Sequence, residues 1–205
     1  MKIAVFDYGA GNVHSALGAF TQLGAKVSLT ADPAVIMEAD GLVVPGVGAF
    51  QTVMERLRRA SGEHLLRDYL ETGKQLLGIC VGMQIFFEYS NEKGRHAGLG
   101  FCQGTVAQLP ASRLPHMGWS PVKVPSGSRL FRGIATESFY FVHSYAVLTE
   151  SLPAGTQSGD VTAEHGAPFL AAIERDNLCA TQFHPEKSGA AGLKLLDNWL
   201  SQIRN

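Results

Sequence analysis

Cysteine is scarce in this chain. Cys80, Cys102 and Cys179, three in 205 residues, are too few and too uneven for a disulfide framework and suit a reducing, cytoplasmic compartment. An excess of one charge is missing as well: 17 Lys and Arg stand against 18 Asp and Glu, for a formal net charge of −1. With no basic block, neither nucleic acid nor an anionic membrane is indicated as a partner. No apolar run approaches the roughly 18 residues needed to cross a bilayer. The N-terminus reaches Asp7 too soon for a secretory signal. No Cys or His pair has structural zinc spacing, so no metal and no cofactor is expected. Repeats, low-complexity tracts and long linkers are also absent, and residues 1–205 are read as one domain.

Apolar residues are plentiful, 45% of the chain, and they are ordered. In the first half short apolar runs at 2–7, 26–30, 41–45 and 75–79 read as strands. Helical patterns lie between them: Val13, Leu17, Phe20 and Leu23 share one face, with Asn12 as N-cap, and 50–69 is helical with a break near Ser61-Gly62. A helix is also expected over 83–89. Strands alternating with helices imply right-handed βαβ units. The second half changes to strands at 105–109, 121–124, 138–142, 145–148, 169–174 and 178–183, separated by Gly, Pro and Ser turns. A last helix covers 189–203. The fold class is therefore α/β, with a doubly wound, mostly parallel central sheet and antiparallel additions in the C-terminal half.

Two distant segments carry complementary chemistry. Gly78-Ile79-Cys80-Val81-Gly82 follows an apolar run and has the form of a nucleophile elbow with sulfur at its centre. A helix leaving the elbow would aim N–H groups and a positive dipole end at the sulfur, favouring thiolate. His184-Pro185-Glu186 follows another strand, and residues i and i+2 of an extended segment face the same side, so Glu186 can orient His184 as a base. Either motif alone reads as readily as an inert buried cysteine or a surface turn. Together they make a Cys80-His184-Glu186 triad for acyl transfer. Pro45-Gly46-Val47-Gly48 ends the third strand, where an N–H near Val47 or Gly48, with that of Val81, could hold an oxyanion. Such a donor is worth roughly 3–4 kcal/mol.

Other motifs are weaker. Gly9-Ala10-Gly11, with Asp32 about 20 residues on, resembles a dinucleotide fingerprint. His14, however, stands where the third glycine belongs, and a tight turn accounts for it better. Cys102 and Cys179 lack any reactive context and are read as inert. His116 and His143 are read as loop residues rather than metal ligands. Met117 and Trp119, an apolar pair among Pro and Gly, suit either the core or a partner-binding loop.

Gly78-Ile79-Cys80-Val81-Gly82-Met83-Gln84 with Phe183-His184-Pro185-Glu186 resembles the class I glutamine amidotransferases. Asp7-Tyr8-Gly9-Ala10-Gly11-Asn12, Pro45-Gly46-Val47-Gly48-Ala49-Phe50, Pro115-His116-Met117-Gly118-Trp119 and His143-Ser144-Tyr145 resemble one branch, which supplies ammonia in histidine biosynthesis. The resemblance implies a glutaminase in which Cys80 forms a thioester with glutamine, and it assigns Gln84, Glu92, Ser144 and Tyr145 to substrate binding. It also implies a heterodimer with a barrel-shaped cyclase subunit, contacted by Asn12, Met117 and Trp119. That subunit would combine the ammonia with N'-(phosphoribulosyl)formimino-AICAR ribonucleotide to give imidazole glycerol phosphate and AICAR. The resemblance further implies an oxyanion segment that is misaligned until the partner binds ligand. The competing readings are a class I glutaminase of another pathway, a silenced scaffold of the same fold, and a peptidase-like cysteine hydrolase.

Overall fold

The computed structural model describes residues 1–9, 13–152 and 160–204. In chain order the first half runs β1 (Lys2–Phe6), α1 (His14–Gln22), β2 (Lys26–Thr30), α2 (Pro33–Glu38), β3 (Gly41–Gly46), α3 (Phe50–Arg59), α4 (Gly62–Glu71) and β4 (Gln75–Cys80). After it come α5 (Val81–Gln84), β5 (Phe87–Ser90), β6 (His96–Ala97), β7 (Cys102–Gln108), β8 (His116–Pro121), β9 (Ser138–His143) and β10 (Tyr145–Val147). The chain closes with β11 (Val161–His165), β12 (Ala167–Arg175), β13 (Leu178–Thr181) and α6 (Gly189–Arg204).

Seven strands form the main sheet in the order β11-β12-β13-β4-β3-β1-β2. From β13 to β2 every pairing is parallel, and β11 and β12 add antiparallel strands at one edge. Right-handed crossovers place helices on opposite faces, because β1 to β2 runs one way along the sheet and β3 to β4 the other. Accordingly β3 is buried along its whole length and β1 and β4 at all but their first residue, as central strands covered on both sides must be. On one face Trp199 of α6 sets its ring against the edge of Phe20 of α1, centroids 5.6 Å apart. On the other, Leu57, Leu66 and Tyr69 of α3 and α4 are fully buried, and the Tyr69 hydroxyl donates to the Ala39 carbonyl just after α2 at 3.2 Å.

The observed elements differ from the sequence expectation in several places. The helix expected over 83–89 stops after one turn. From there Phe87–Ser90 becomes a strand of a four-stranded sheet, β10-β7-β5-β6. The carbonyls of Ile85, Phe86 and Phe87 accept from Leu99, Cys102 and Gly100, so the loop from 98 onward supplies partners that a helix would have found within itself. The strand expected over 121–124 lies earlier, at β8, which pairs antiparallel with β9 from His116 opposite His143 to Pro121 opposite Ser138. Three elements were unread. Two are β11 and the two-residue β6. The third is α2, whose Asp32 accepts from the Ala34 N–H at 2.8 Å and whose first helical residue is Pro33, a start signal in plain view.

Candidate active site

The register of the sheet assembles the site. Gly46 lies beside Cys80 where β3 meets β4, and Thr181 lies beside Ile79 where β13 meets β4. The carboxyl ends of three parallel strands thus open into one crevice. Close packing beneath it explains the glycines. A Cβ on Gly82 would lie 2.0 Å from the Val44 carbonyl oxygen, and one on Gly46 would lie 2.5 Å from the Gly82 nitrogen. The turn from β4 into α5 therefore presses on β3 with nothing between.

Cys80 takes φ 57°, ψ −115°, a conformation that a side chain rarely adopts and that marks a nucleophile elbow. Because α5 is a single turn with no side-chain cap bond from Cys80, the residue stands at the start of one turn rather than at the end of a long dipole. His184 is 3% exposed. Its Nδ1 stands 2.7 Å from Oε1 of Glu186, which is carried by the single turn Pro185–Lys187. Burial alone would push the imidazole down; hydrogen bonds to Cys80 and Glu186, with their charges, outweigh it and raise His184 to about 10. At neutral pH the imidazole holds its proton between two acidic partners.

A cavity of about 380 Å³ opens over Cys80 and His184, and Val47, Gly48, Val81, Gln84, Glu92, Ser144 and Tyr145 all line it. Gly48 has φ +98°, so the segment beyond β3 departs from strand geometry at the residue whose N–H is in question. The hydroxyl of buried Tyr8 donates to the Pro45 carbonyl at the start of that segment. Glu92 accepts from the Phe50 N–H at 2.8 Å, at the first turn of α3, where an anionic side chain is favoured. Gln84 donates to the Tyr145 carbonyl at 2.8 Å and to Gln182 Oε1 at 3.0 Å.

The remaining residues lie elsewhere. Met117 and Trp119 alternate outward on β8, 62% and 57% exposed, away from the cavity lining. Asn12, expected at the same interface, falls outside the described residues. His116 and His143 are not loop residues but a buried cross-strand pair, Nδ1 to Nε2 at 3.1 Å. The other two cysteines take no part in the cavity lining, and burial holds both as thiols: it pushes Cys102 up to about 11 and Cys179 to about 12. Among the described residues no group of three or more His, Cys, Asp or Glu could hold a metal ion. Gln182, Pro115 and Lys187 were missed. Gln182 and His184 are i and i+2 on one extended segment, a spacing that would have put Gln182 on the site face.

The family model described as "Glutamine amidotransferase class-I" matches residues 4–203. The chain belongs to the class I glutamine amidotransferase family. Relatives of near-equal length lie in one part of that family. The imidazole glycerol phosphate synthase subunit HisH of Leifsonia xyli subsp. xyli is 51% identical over 205 residues, covering 98% of each chain. HisH of Streptomyces avermitilis is 50% identical over 208 residues, covering 98% of this chain and 97% of its own. Among solved structures, a glutamine amidotransferase shares the fold with a TM-score of 0.74 at 20% identity, covering 99% of both chains. The glutaminase domain of Trypanosoma brucei CTPS, solved with acivicin, superposes with a TM-score of 0.66 at 16% identity over all of this chain and 94% of its own. This class I glutamine amidotransferase is thus a HisH-type enzyme.

Proposed function

We propose that residues 1–205 are a single glutaminase domain, working in the cytoplasm as the ammonia-supplying subunit of imidazole glycerol phosphate synthase. What carries the reading is the position of His184, held at Nδ1 by Glu186 at 2.7 Å and sharing with Cys80 the wall of a cavity with room for one amino acid. The Cys80 thiolate attacks the carboxamide carbon of glutamine. The oxyanion is met by N–H groups near Val47 or Gly48 and at Val81. As the C–N bond breaks, His184 gives its proton to the leaving ammonia. A water then loses a proton to His184 and adds to the thioester, and glutamate departs as the thiolate re-forms.

Gln84, Glu92, Ser144 and Tyr145 hold the substrate. Both N–H groups of Gln84 are spent within the protein, so its carbonyl oxygen is what it has left for a ligand. Ammonia passes to a cyclase subunit seated on the outer face of β8, where Met117 and Trp119 stand exposed. The near-full-length HisH relatives support that partner. No helix among the described residues is long and apolar enough to cross a membrane. A peptide at Val47 flanked by Gly46 and Gly48 can rotate, which suits an oxyanion hole completed only in the complex.

The test is glutamate release from glutamine by the chain alone, then with a cyclase subunit and its ribonucleotide ligand. Low activity that rises steeply in the complex is expected. Full activity in isolation would point to an ungated glutaminase of another pathway. Cys80→Ala should abolish release and leave the complex intact; loss of the complex as well would make Cys80 a packing residue.

A further inference from the structure

Beyond the triad, one buried carboxamide touches the nucleophile. Gln182 is 1% exposed, and its Nε2 lies 3.9 Å from the Cys80 sulfur. That is long for an N–H···S contact, as catalytic contacts often are before substrate closes a site. The orientation of the carboxamide is set by its neighbours. The Tyr145 carbonyl can only accept, so the Gln84 atom 2.8 Å from it is the nitrogen. The second N–H of Gln84 then points to Gln182 at 3.0 Å, which must therefore present its oxygen. Gln182 is left with its N–H groups toward the sulfur.

The far side of the Tyr145 carbonyl is held in the same way. It accepts from His143 Nδ1 at 3.0 Å. Burial keeps His143 neutral, at about 3, so its Nε2 accepts from His116 Nδ1 at 3.1 Å. His116, neutral for the same reason, accepts at Nε2 from the Ser120 hydroxyl at 2.8 Å. Every donor from Ser120 to the sulfur thus has one allowed direction. Packing alone does not call for a glutamine here, since burying a carboxamide is unfavourable unless its bonds are made.

We propose that Gln182 is a catalytic residue, its carboxamide N–H stabilising the negative charge on the Cys80 sulfur, with Gln84 as the positioning residue that holds it in the donating orientation. The inference rests on the glutaminase reading above. Its chemical sense lies in the cycle of His184, which gives up its proton to ammonia and regains it from water. A neutral N–H donor keeps its strength through both steps and receives the thiolate when the thioester breaks.

Two variants decide it, each assayed for glutamate release in the complex and for the pH profile of Cys80 alkylation with iodoacetamide in the same complex. Gln182→Met removes both the donor and the acceptor for Gln84; Gln182→Glu keeps the acceptor and removes the donor. Both should lower kcat about ten- to a hundredfold with KM within about twofold, and both should displace the alkylation profile to higher pH. An undisplaced profile in an active protein would overturn the assignment. So would a Gln182→Glu variant that behaves as wild type while Gln182→Met fails, since holding Gln84 would then be the whole role. Should Gln182→Met not fold, Gln182→Leu takes its place, since the charge of a glutamate at 182 would by itself disfavour the thiolate. If the wild-type complex releases no glutamate but its alkylation profile still depends on Gln182, the glutaminase reading fails and the contact to sulfur stands.

Discussion

Glu186 reaches His184 because a proline and a single turn set a carboxylate 2.7 Å from Nδ1, and the chemistry of this site is decided largely between such pairs. Replacing Glu186 by Gln keeps the shape and removes the charge. Turnover should fall on the order of 100-fold or more, and His184 should release its proton at lower pH, seen as an earlier alkaline limb in the pH–rate profile. Three histidines also set the pH range of the fold. His143 and His116 are lowered to about 3 and about 4, chiefly by burial, from an ordinary value of 6.5. The unfolded chain therefore binds their protons first on acidification, and their contribution, complete above about 6.5, is lost as pH falls toward 4. His184 works in the opposite sense. Raised to about 10, it adds stability that is complete below 6.5 and is lost as pH climbs through 10. Melting temperature should thus fall on both sides of neutrality, and His116→Asn should flatten the acid side. An acid limb unchanged in that variant would mean that His116 is not held neutral.

At the scale of elements, the approach of α5 to β3 constrains the site most. Gly82 sits where a Cβ would meet the Val44 carbonyl oxygen at 2.0 Å, and backbone cannot step aside as a side chain can. Gly82→Ala should cost about 1–3 kcal/mol of stability and lower kcat by moving the elbow, measured by denaturant unfolding beside glutamate release. Much of this level was legible. Strands 26–30 and 41–45 and the helical break at Ser61-Gly62 come from period and punctuation, and the observed elements agree. The stretch after Gln84 was not legible, because an aromatic-rich run such as Phe86-Phe87-Glu88-Tyr89 suits helix or strand, and partners from 98 onward decide.

For the whole molecule the feature that most needs a partner is the outward face of the β8–β9 ribbon. Met117 and Trp119 are the most exposed large apolar side chains among the described residues, a pattern that marks an interface more than a core. Trp119→Ala should weaken association with the proposed cyclase subunit about tenfold or more and leave the melting temperature within a few degrees; titration of the pair and a thermal scan give both. A large fall in melting temperature would put Trp119 in the core of the free chain.

Cys80, His184, Glu186 and the parallel strands of the first half could be read from the sequence alone, because elbows, strand periods and turn residues are local signals. The alignment of Gly46 with Cys80 and of Thr181 with Ile79 belongs to the tertiary structure, and so does the chain of hydrogen bonds running from Ser120 through Gln182 to the sulfur. Those contacts join residues up to 102 positions apart. Period and spacing describe neighbours along a chain, whereas the direction of a buried hydrogen bond is set only by the group on its other side.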